Sequence, residues 1–515
     1  MEHPQRPSIG TELAEAARRF GRTPVIVHSA VRPAETTLGE LWSESCQVAA
    51  RLRELGVGPG DVVAVQLPNW RECFVVHAAA WAAGAVLLPI VPIYGPREVE
   101  FILRRSGAKV FVAASRWRGR DNGELFRVSA RPPTLQYCFA VGESIPDVAD
   151  YTDLVTGDPA GFEPYVPNRP GECCLLVYTS GTTSEPKGVR HSHESLLGEV
   201  RAMESLRGSG PDVRSLVAFP PGHVAGALGI LRMLGRGTLT IAMDQWSPAE
   251  AADLIVRHRI QASGGAPIHL AGLLDEAESR GLDLSSLVEY TTGAANVSSD
   301  LIRRADGFGV RAFRCYGSTE HPTISSGVPD DPLVKRAETD GRLTPGTEIR
   351  VVDAFGDQVP TAHEGEILSR GPELFVGYAD SALDESSFSD GWFRTGDIGS
   401  LDADGYLRIT DRKKDIIVRG GENISSKEVE DVLLSHPGIV EAAAIGLPDE
   451  RYGERVCAVV VVRAGHDVDL SDLVAHFDAA GLAKQKTPEH LRVVAELPRT
   501  ASGKVQKPLL REQFA

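Results

Sequence analysis

With 515 residues, 42% of them hydrophobic and 24% charged, the chain has an ordinary globular composition and room for about three compact units of roughly 150 residues. Its formal net charge of −16 excludes a general nucleic-acid binder, whose affinity rests on a basic surface that releases counterions. Any polyanionic ligand must therefore meet a local positive site. Seven cysteines, an odd number without a C-x-x-C pair, sit mostly in apolar runs such as "CCLLVY" and read as reduced, buried thiols of a cytoplasmic protein. The N-terminal "MEHPQRPSIG" lacks the basic-then-apolar pattern of a signal peptide.

In chain order, "GVGPGD" (56–61) reads as a helix-ending turn before the strand "DVVAVQL" (61–67), not as a dinucleotide loop. From Phe74 to Tyr94 the apolar run "FVVHAAAWAAGAVLLPIVPIY" has the length of a membrane span. His77, Pro89, Pro92 and Gly84 argue instead for a buried helix ending at Gly84, then a buried strand reaching Ile93. "KVFVAA" (109–114), "LLVYTS" (175–180), "SLVAFP" (215–220) and "TLTIAM" (238–243) are short and rich in strand formers, as buried strands are. "HESLLGEVRAMESL" places Leu196, Val200 and Met203 on one helix face, with Ser192 as its N-cap. Strands alternating with amphipathic helices give an α/β fold with parallel sheets.

Near residue 400 the pattern changes. "LDADGYLRIT" carries a D-G turn between apolar flanks, a hairpin signal. Asp402, Asp404 and Gly405 suggest a calcium loop only superficially, because the closing acidic residue is missing. After the charged "DRKKD" (411–415), about a hundred residues form a separate small α/β domain. The expected division is 1–411 and 412–515.

One stretch is dense in chemistry. "YTSGTTSEPKGV" (178–189) crowds five hydroxyls around Gly181 and runs into Lys187, a pattern suited to an anion. It is not the G-x-x-x-x-G-K-[ST] phosphate loop, since Pro186 and Lys187-Gly188 break that spacing. Ser184-Glu185-Pro186-Lys187 spells the S-x-x-K of a serine acyl-enzyme, but Pro186 and Gly188 oppose the helix that chemistry needs and the companion motifs are missing. An ordinary polar loop is the plainer alternative, and it loses ground to the company this segment keeps. Downstream come "TTGAAN" (291–296), "CYGSTEH" (315–321), "GWFRTGDIG" (391–399), "DRKKDIIVRGGENIS" (411–425) and "LPRTASGKVQK" (497–507).

In this order and spacing the six segments resemble the adenylate-forming enzyme superfamily: acyl-CoA synthetases, nonribosomal adenylation domains and firefly luciferase. The likeness runs from about Thr36 to Lys507. It implies a large N-terminal domain of parallel and mixed sheets flanked by helices, with a small β-barrel-like subdomain, and a small mobile C-terminal α/β domain hinged at Lys414. It implies two steps: a carboxylate attacks the α-phosphate of ATP to give an acyl-adenylate and pyrophosphate, then a thiol displaces AMP.

Carried over residue by residue, Thr179, Ser180, Gly181, Thr182, Thr183, Ser184 and Lys187 would hold the β- and γ-phosphates. Gly293, Ala294 and Ala295 would floor the adenine, with Tyr316 stacking on it beside Gly317. Thr319 would bond the α-phosphate and Glu320 would ligand Mg²⁺. Asp397 would accept the ribose hydroxyls with Arg412 assisting. Lys504 would be the catalytic lysine, and Arg419, Gly420 and Gly421 would line a CoA tunnel after domain rotation. Ser184 departs from the glycine usual in the family.

His223, after "FPPG", stands where the family places an aromatic or histidine residue at the mouth of the acid pocket. Amino-acid-activating relatives carry aspartate next; here it is Val224, and an ammonium left unpaired in an apolar pocket is costly. Gly226, Ala227 and Gly229 leave room for an apolar body, or serve close helix packing. The expectation is an acyl-CoA synthetase of a medium-chain fatty or cyclic acid, using ATP, Mg²⁺ and CoA. Transfer to an acyl carrier protein and a non-catalytic nucleotide-binding relative are the rivals. Oligomeric state, dimer included, stays open.

Overall fold

The computed structural model describes residues 8–126, 132–179, 186–207, 210, 212–500 and 504–515. Its largest element is a nine-stranded sheet whose strands Arg214–Val217, Leu239–Met243, Ala262–Gly265, Glu289–Thr292 and Ala312–Tyr316 run parallel. Parallel strands need crossover connections, and helices Val224–Arg236, Pro248–His258, Pro267–Arg280 and Ser299–Gly307 supply them. The loops at the strands' C-terminal ends therefore gather on one edge, where ligands of open α/β sheets bind.

An eight-stranded sheet contains the parallel strands Val62–Gln66, Val86–Pro89, Val110–Ala114 and Tyr137–Val141. Every residue of Val62–Gln66, Val86–Pro89 and Val110–Ala114 is buried, which explains why these runs are apolar without alternation. Cys173–Thr179 joins this sheet and pairs antiparallel with Lys187–Ser192.

The long apolar run resolves into helix Arg71–Ala83, capped by Gly84 at φ 89°, and strand Val86–Pro89. The tyrosine ring of Tyr165 would lie 2.6 Å from a Cβ at Gly84, so glycine is needed there for space as well as for its left-handed backbone. The strand stops short of Ile93 because Pro92 and a turn closed by Tyr94 N–H to Val91 O interrupt it. Among the described residues no helix is long and apolar enough to cross a membrane. Helix His193–Arg207 begins as expected: Ser192 Oγ accepts the Ser195 N–H at 3.1 Å, and Leu196, Val200 and Met203 are buried.

The barrel-like subdomain is an antiparallel five-stranded sheet. Its ten-residue strand Trp392–Leu401 pairs with Gly365–Arg370 on one edge and with Phe388–Ser389 and Leu407–Arg412 on the other, so the pairing path stays open. The D-G hairpin forms with Leu401 opposite Leu407 and Gly405 at φ 81°. The two aspartates that suggested calcium instead flank the Lys335 ammonium, 2.7 Å from each.

The C-terminal part folds on its own core of Ile417, Val429, Leu433, Val456, Val460 and Phe477, around a fourth sheet with the long antiparallel pair Ile439–Asp449 and Gly453–Val462. Between the two cores, residues 413–415 form a turn, closed by the Asp415 N–H to Arg412 O at 2.8 Å. Asp411 holds the near side, accepting from the Ser426 backbone N–H and hydroxyl at 2.6 and 3.0 Å.

Candidate active site

A cavity of about 1170 Å³ opens at the C-terminal ends of the parallel strands and collects residues from both domains. Thr179, Lys187, Gly293, Ala294, Gly317, Thr319, Glu320, Arg412, Lys414, Lys504 and His223 all line it. Residues separated by hundreds of positions therefore meet as the motifs implied. Ser180, Gly181, Thr182, Thr183 and Ser184 lie outside the described residues, as do positions 501–503 of the lysine motif.

Backbone approach explains the small residues. A Cβ on Gly317 would sit 2.0 Å from Pro322 O, and one on Gly293 would sit 2.8 Å from Cys315 O, so neither position tolerates a side chain without moving a backbone. Ala294 holds φ 67°, a left-handed conformation uncommon for a residue with a Cβ. Ala295, Tyr316 and Asp397 are not on the cavity wall itself.

Tyr316 is fixed by its hydroxyl, which donates to Asp397 Oδ2 at 2.7 Å, while Arg412 Nε donates to Asp397 Oδ1 at 2.6 Å. Asp397 is 3% exposed. A carboxylate has about four acceptor positions, so these two bonds leave two available to an incoming pair of hydroxyls. The attraction of Asp397 raises the Arg412 pKa, and burial raises that of the Tyr316 phenol, keeping the one charged and the other neutral.

Glu320 is positioned by groups that no motif announced. Its Oε1 accepts from the Tyr378 hydroxyl at 2.8 Å, and its carbonyl accepts from the Phe375 N–H at 2.8 Å. The Lys187 ammonium lies 5.3 Å from the centre of the Tyr378 ring, a cation–π contact that ties the anion-loop lysine to the same tyrosine. His191 Nε2 meets the Thr319 carbonyl at 2.7 Å, and burial lowers the His191 pKa to about 4, so the neutral ring donates there and fixes the Thr319-Glu320 turn.

Lys504 enters the cavity from the small domain, where the Thr500 N–H donates to Lys504 O at 2.8 Å and Arg499 pairs with Val505. Its surroundings lower its pKa, first through the protein mass around it and then through Arg412, with Asp397 and Glu320 opposing. Lys414 shares that crowding and is lowered for the same first reason. Across the domain boundary, Asn296 Nδ2 donates to Asp431 Oδ1 at 3.0 Å. Arg419, Gly420 and Gly421 lie outside the cavity, in a hairpin turn whose Arg419 is held bidentately by Glu489 at 2.8 and 2.9 Å.

The acid pocket departs from expectation. Gly226 and Ala227 do not line the cavity: a Cβ at Gly226 would lie 2.0 Å from Pro220 O, and Ala227 is 1% exposed, so both are packing positions that seat the helix against its own approach loop. Val224, Ala225, Leu228 and Gly229 face the cavity, with open space beside Gly229. Nor is the pocket free of charge, since Glu199, Arg207 and Arg232 stand deeper along it. Periodicity could have found them. Arg232 falls three residues after Gly229 on the same helix, and Glu199 shares the helix face of Leu196 and Met203.

Residues 13–379 match the family described as AMP-binding enzyme, and residues 428–504 match the AMP-binding enzyme C-terminal domain. The chain is 37% identical over 470 residues to the medium-chain fatty-acid–CoA ligase of Escherichia coli K12, covering 89% of this chain and 82% of that one. It is also 37% identical over 488 residues to a 3-[(3aS,4S,7aS)-7a-methyl-1,5-dioxo-octahydro-1H-inden-4-yl]propanoyl:CoA ligase of Mycobacterium tuberculosis, covering 92% and 93%. Among solved structures, ATP-bound MatB from Rhodopseudomonas palustris superimposes with a TM-score of 0.87 at 28% identity, over 99% of both chains. With a match spanning more than half its length and a cavity built from the same motifs, this chain belongs to the AMP-binding enzyme family.

Proposed function

We propose that this chain is an AMP-forming acyl-CoA ligase acting on a carboxylic acid with an apolar body of medium-chain or cyclic type. The observation that carries the reading is the presence of Lys504, from the small domain, in one cavity with Glu320 and His223 from the large one.

A carboxylate is a poor electrophile, so a leaving group must be installed on it before a thiol can attack. In the first step a carboxylate oxygen attacks the α-phosphorus of ATP, and the bond to the bridging oxygen breaks to release pyrophosphate. Lys504 and Thr319 sit where positive charge and a hydroxyl donor can meet the charge that builds on the α-phosphoryl oxygens. Lys187 and the hydroxyls of the preceding loop take the β- and γ-phosphates. Asp397 takes the ribose hydroxyls, oriented by Tyr316 and Arg412. Gly293 and Ala294 offer the adenine a surface free of side-chain bulk.

Magnesium fits this donor set. Among the described residues no three His, Cys, Asp or Glu side chains converge into a metal cage, and Glu320 offers a hard oxygen donor beside the phosphate site, leaving the rest of the shell to phosphates and water. When bound, the ion would neutralise phosphate charge.

For the second step the small domain turns about Lys414, withdrawing Lys504 and presenting Arg419, Gly420 and Gly421 to the pantetheine of CoA. The thiolate attacks the acyl carbon, and AMP leaves with the electron pair of the cleaved anhydride bond. The cytoplasm, which keeps thiols reduced, suits the seven unpaired cysteines.

The test is pyrophosphate release with ATP, Mg²⁺ and a panel of straight-chain, alicyclic and aromatic acids, followed by AMP release on adding CoA or a holo-acyl carrier protein. Pyrophosphate with the right acid and AMP with free CoA is the expected result. No pyrophosphate with any acid overturns the reading.

A further inference from the structure

Beyond His223 the cavity continues between the helices His193–Arg207 and Val224–Arg236 and the face of the nine-stranded sheet, toward the strands' N-terminal ends at Gln261, Glu289 and Arg311. Helix Val224–Arg236 faces the channel with Val224, Ala225, Leu228 and Gly229 toward its start, and with Arg232, Met233 and Arg236 toward its end. It is apolar for its first half and carries two guanidiniums after it. At about 1.5 Å rise per residue, Arg232 Cα stands roughly 12 Å beyond the helix start, and its side chain leans back toward that start. The guanidinium therefore overlooks the channel about 6–9 Å along the axis from the helix start.

Arg232 Nη1 donates to Glu199 Oε1 at 3.2 Å, its one hydrogen bond among the described residues. The arginine side chain is 35% exposed and that of Glu199 2%, so the other N–H groups of Arg232 face the channel. Glu199 is held in turn by the Thr323 hydroxyl at 3.2 Å. The remaining guanidiniums of the channel are also matched by carboxylates: Arg207 by Glu289 at 3.3 Å, Arg236 by Glu204 at 2.8 Å and Arg311 by Asp330 at 2.6 Å. The charged groups of the channel's far half are thus close to balanced, and they stand among the apolar Met203, Val213, Met233 and Val288.

Three kinds of substrate tail would meet it differently. A plain hydrocarbon strips water from the Arg232 donors and returns no hydrogen bond. A second carboxylate has to compete with Glu199 for Arg232 while facing Glu204 and Glu289. A neutral oxygen accepts the unused N–H groups and leaves the ion pair intact.

We propose that the acid activated here carries a neutral hydrogen-bond acceptor, a ketone or hydroxyl oxygen, on the distal part of an otherwise apolar skeleton, and that Arg232 recognises it. The inference rests on the acyl-CoA ligase reading and narrows its substrate class. Gly229 leaves width for a ring between the two ends.

The experiment compares kcat/KM, by pyrophosphate release, for octanoate, 7-oxooctanoate and octanedioate with the wild type and with Arg232→Met. The oxo acid should exceed octanoate by about tenfold, the value of one hydrogen bond to a charged donor, and octanedioate should be the poorest. In Arg232→Met the oxo preference should fall below about threefold while octanoate improves, because the methionine offers the tail an apolar contact. Octanoate equal to or better than the oxo acid, octanedioate as the best substrate, or a preference unchanged in Arg232→Met each overturns the proposal while leaving the ligase reading standing. Absence of pyrophosphate with all three acids and with the wider panel overturns the ligase reading, and the proposal with it.

Discussion

The Tyr316 hydroxyl donates to Asp397 Oδ2 at 2.7 Å, joining the motif "CYGSTEH" to the motif "GWFRTGDIG" across 81 residues of chain. This bond and the Arg412 bond at the other oxygen hold the carboxylate in one orientation. Tyr316→Phe retains the ring and loses the bond, so it should raise KM for ATP about three- to tenfold with kcat little changed, as expected for a lost bond to a charged acceptor. Steady-state kinetics with ATP varied at saturating acid measures it. An unchanged KM would mean that Arg412 alone suffices to orient Asp397.

Lys504 belongs to the first step only, if the small domain turns between steps. Lys504→Ala should lower acid-dependent pyrophosphate release by at least about a thousandfold, the range seen when a group stabilising transition-state charge is removed. Thioester formation from a supplied acyl-adenylate and CoA should stay within a few fold of wild type. Equal loss in both assays would show that the lysine serves both steps or holds the domains together. The lowered Lys504 pKa adds a direction: adenylation should begin to fall at a pH below that of an ordinary lysine, because the protonated ammonium is the competent form.

Much of this site was legible in the sequence because its members are backbone-dictated. Gly317 and Gly293 cannot bear side chains where they stand, and Asp397, Glu320 and Lys504 each sit inside a short contiguous segment of sequence. The groups that hold them were not legible. Tyr378 and His191 reach the site through tertiary packing, from two strands, and no local pattern marks a hydroxyl that will meet a carboxylate 58 residues away. The acid-pocket stretch was legible only in part for a related reason. "VAGALG" is small both where it packs, at Gly226, and where it opens, at Gly229, and only the helix phase separates the two. Strand ends also ran shorter than the apolar runs, because Pro92 and Pro220 stop pairing before hydrophobicity stops.

Four histidines buried in the large domain set its acid limit. Burial lowers the pKa of His77, His191 and His193 to about 4 and that of His321 to about 3, against about 6.5 in an unfolded chain. Below pH 6.5 the unfolded chain takes up protons that the folded one refuses. Their contribution is therefore complete above that pH and is lost as pH falls toward 4, at up to about 1.4 kcal/mol per pH unit for each histidine. The urea midpoint should drop between pH 7 and pH 5. His77→Asn, whose amide can still donate to the Cys73 carbonyl that His77 Nδ1 meets at 2.8 Å, should lower the midpoint at pH 7 but flatten its decline. An unaltered slope would remove His77 from the account.

Glu373 works in the opposite sense. It is fully buried, neither of its carboxyl oxygens makes a well-formed hydrogen bond among the described residues, and burial followed by the charge of Glu199 pushes its pKa up to about 8. A folded pKa above the unfolded value of about 4.5 means that its contribution is most favourable below 4.5 and is lost as pH rises through 8. At pH 7 the carboxyl is kept largely neutral at a cost on the order of 3 kcal/mol, which grows toward pH 8 and which a permanently neutral isostere does not bear. Glu373→Gln should therefore raise the thermal midpoint at pH 8 and change it little at pH 5. The amide also gives Glu199 Oε2, which lacks a partner among the described residues, a donor within its own neighbourhood. A midpoint that falls equally at both pH values would show that the carboxyl is a structural hydrogen-bonding group rather than a buried acid held neutral beneath the Arg232 pair.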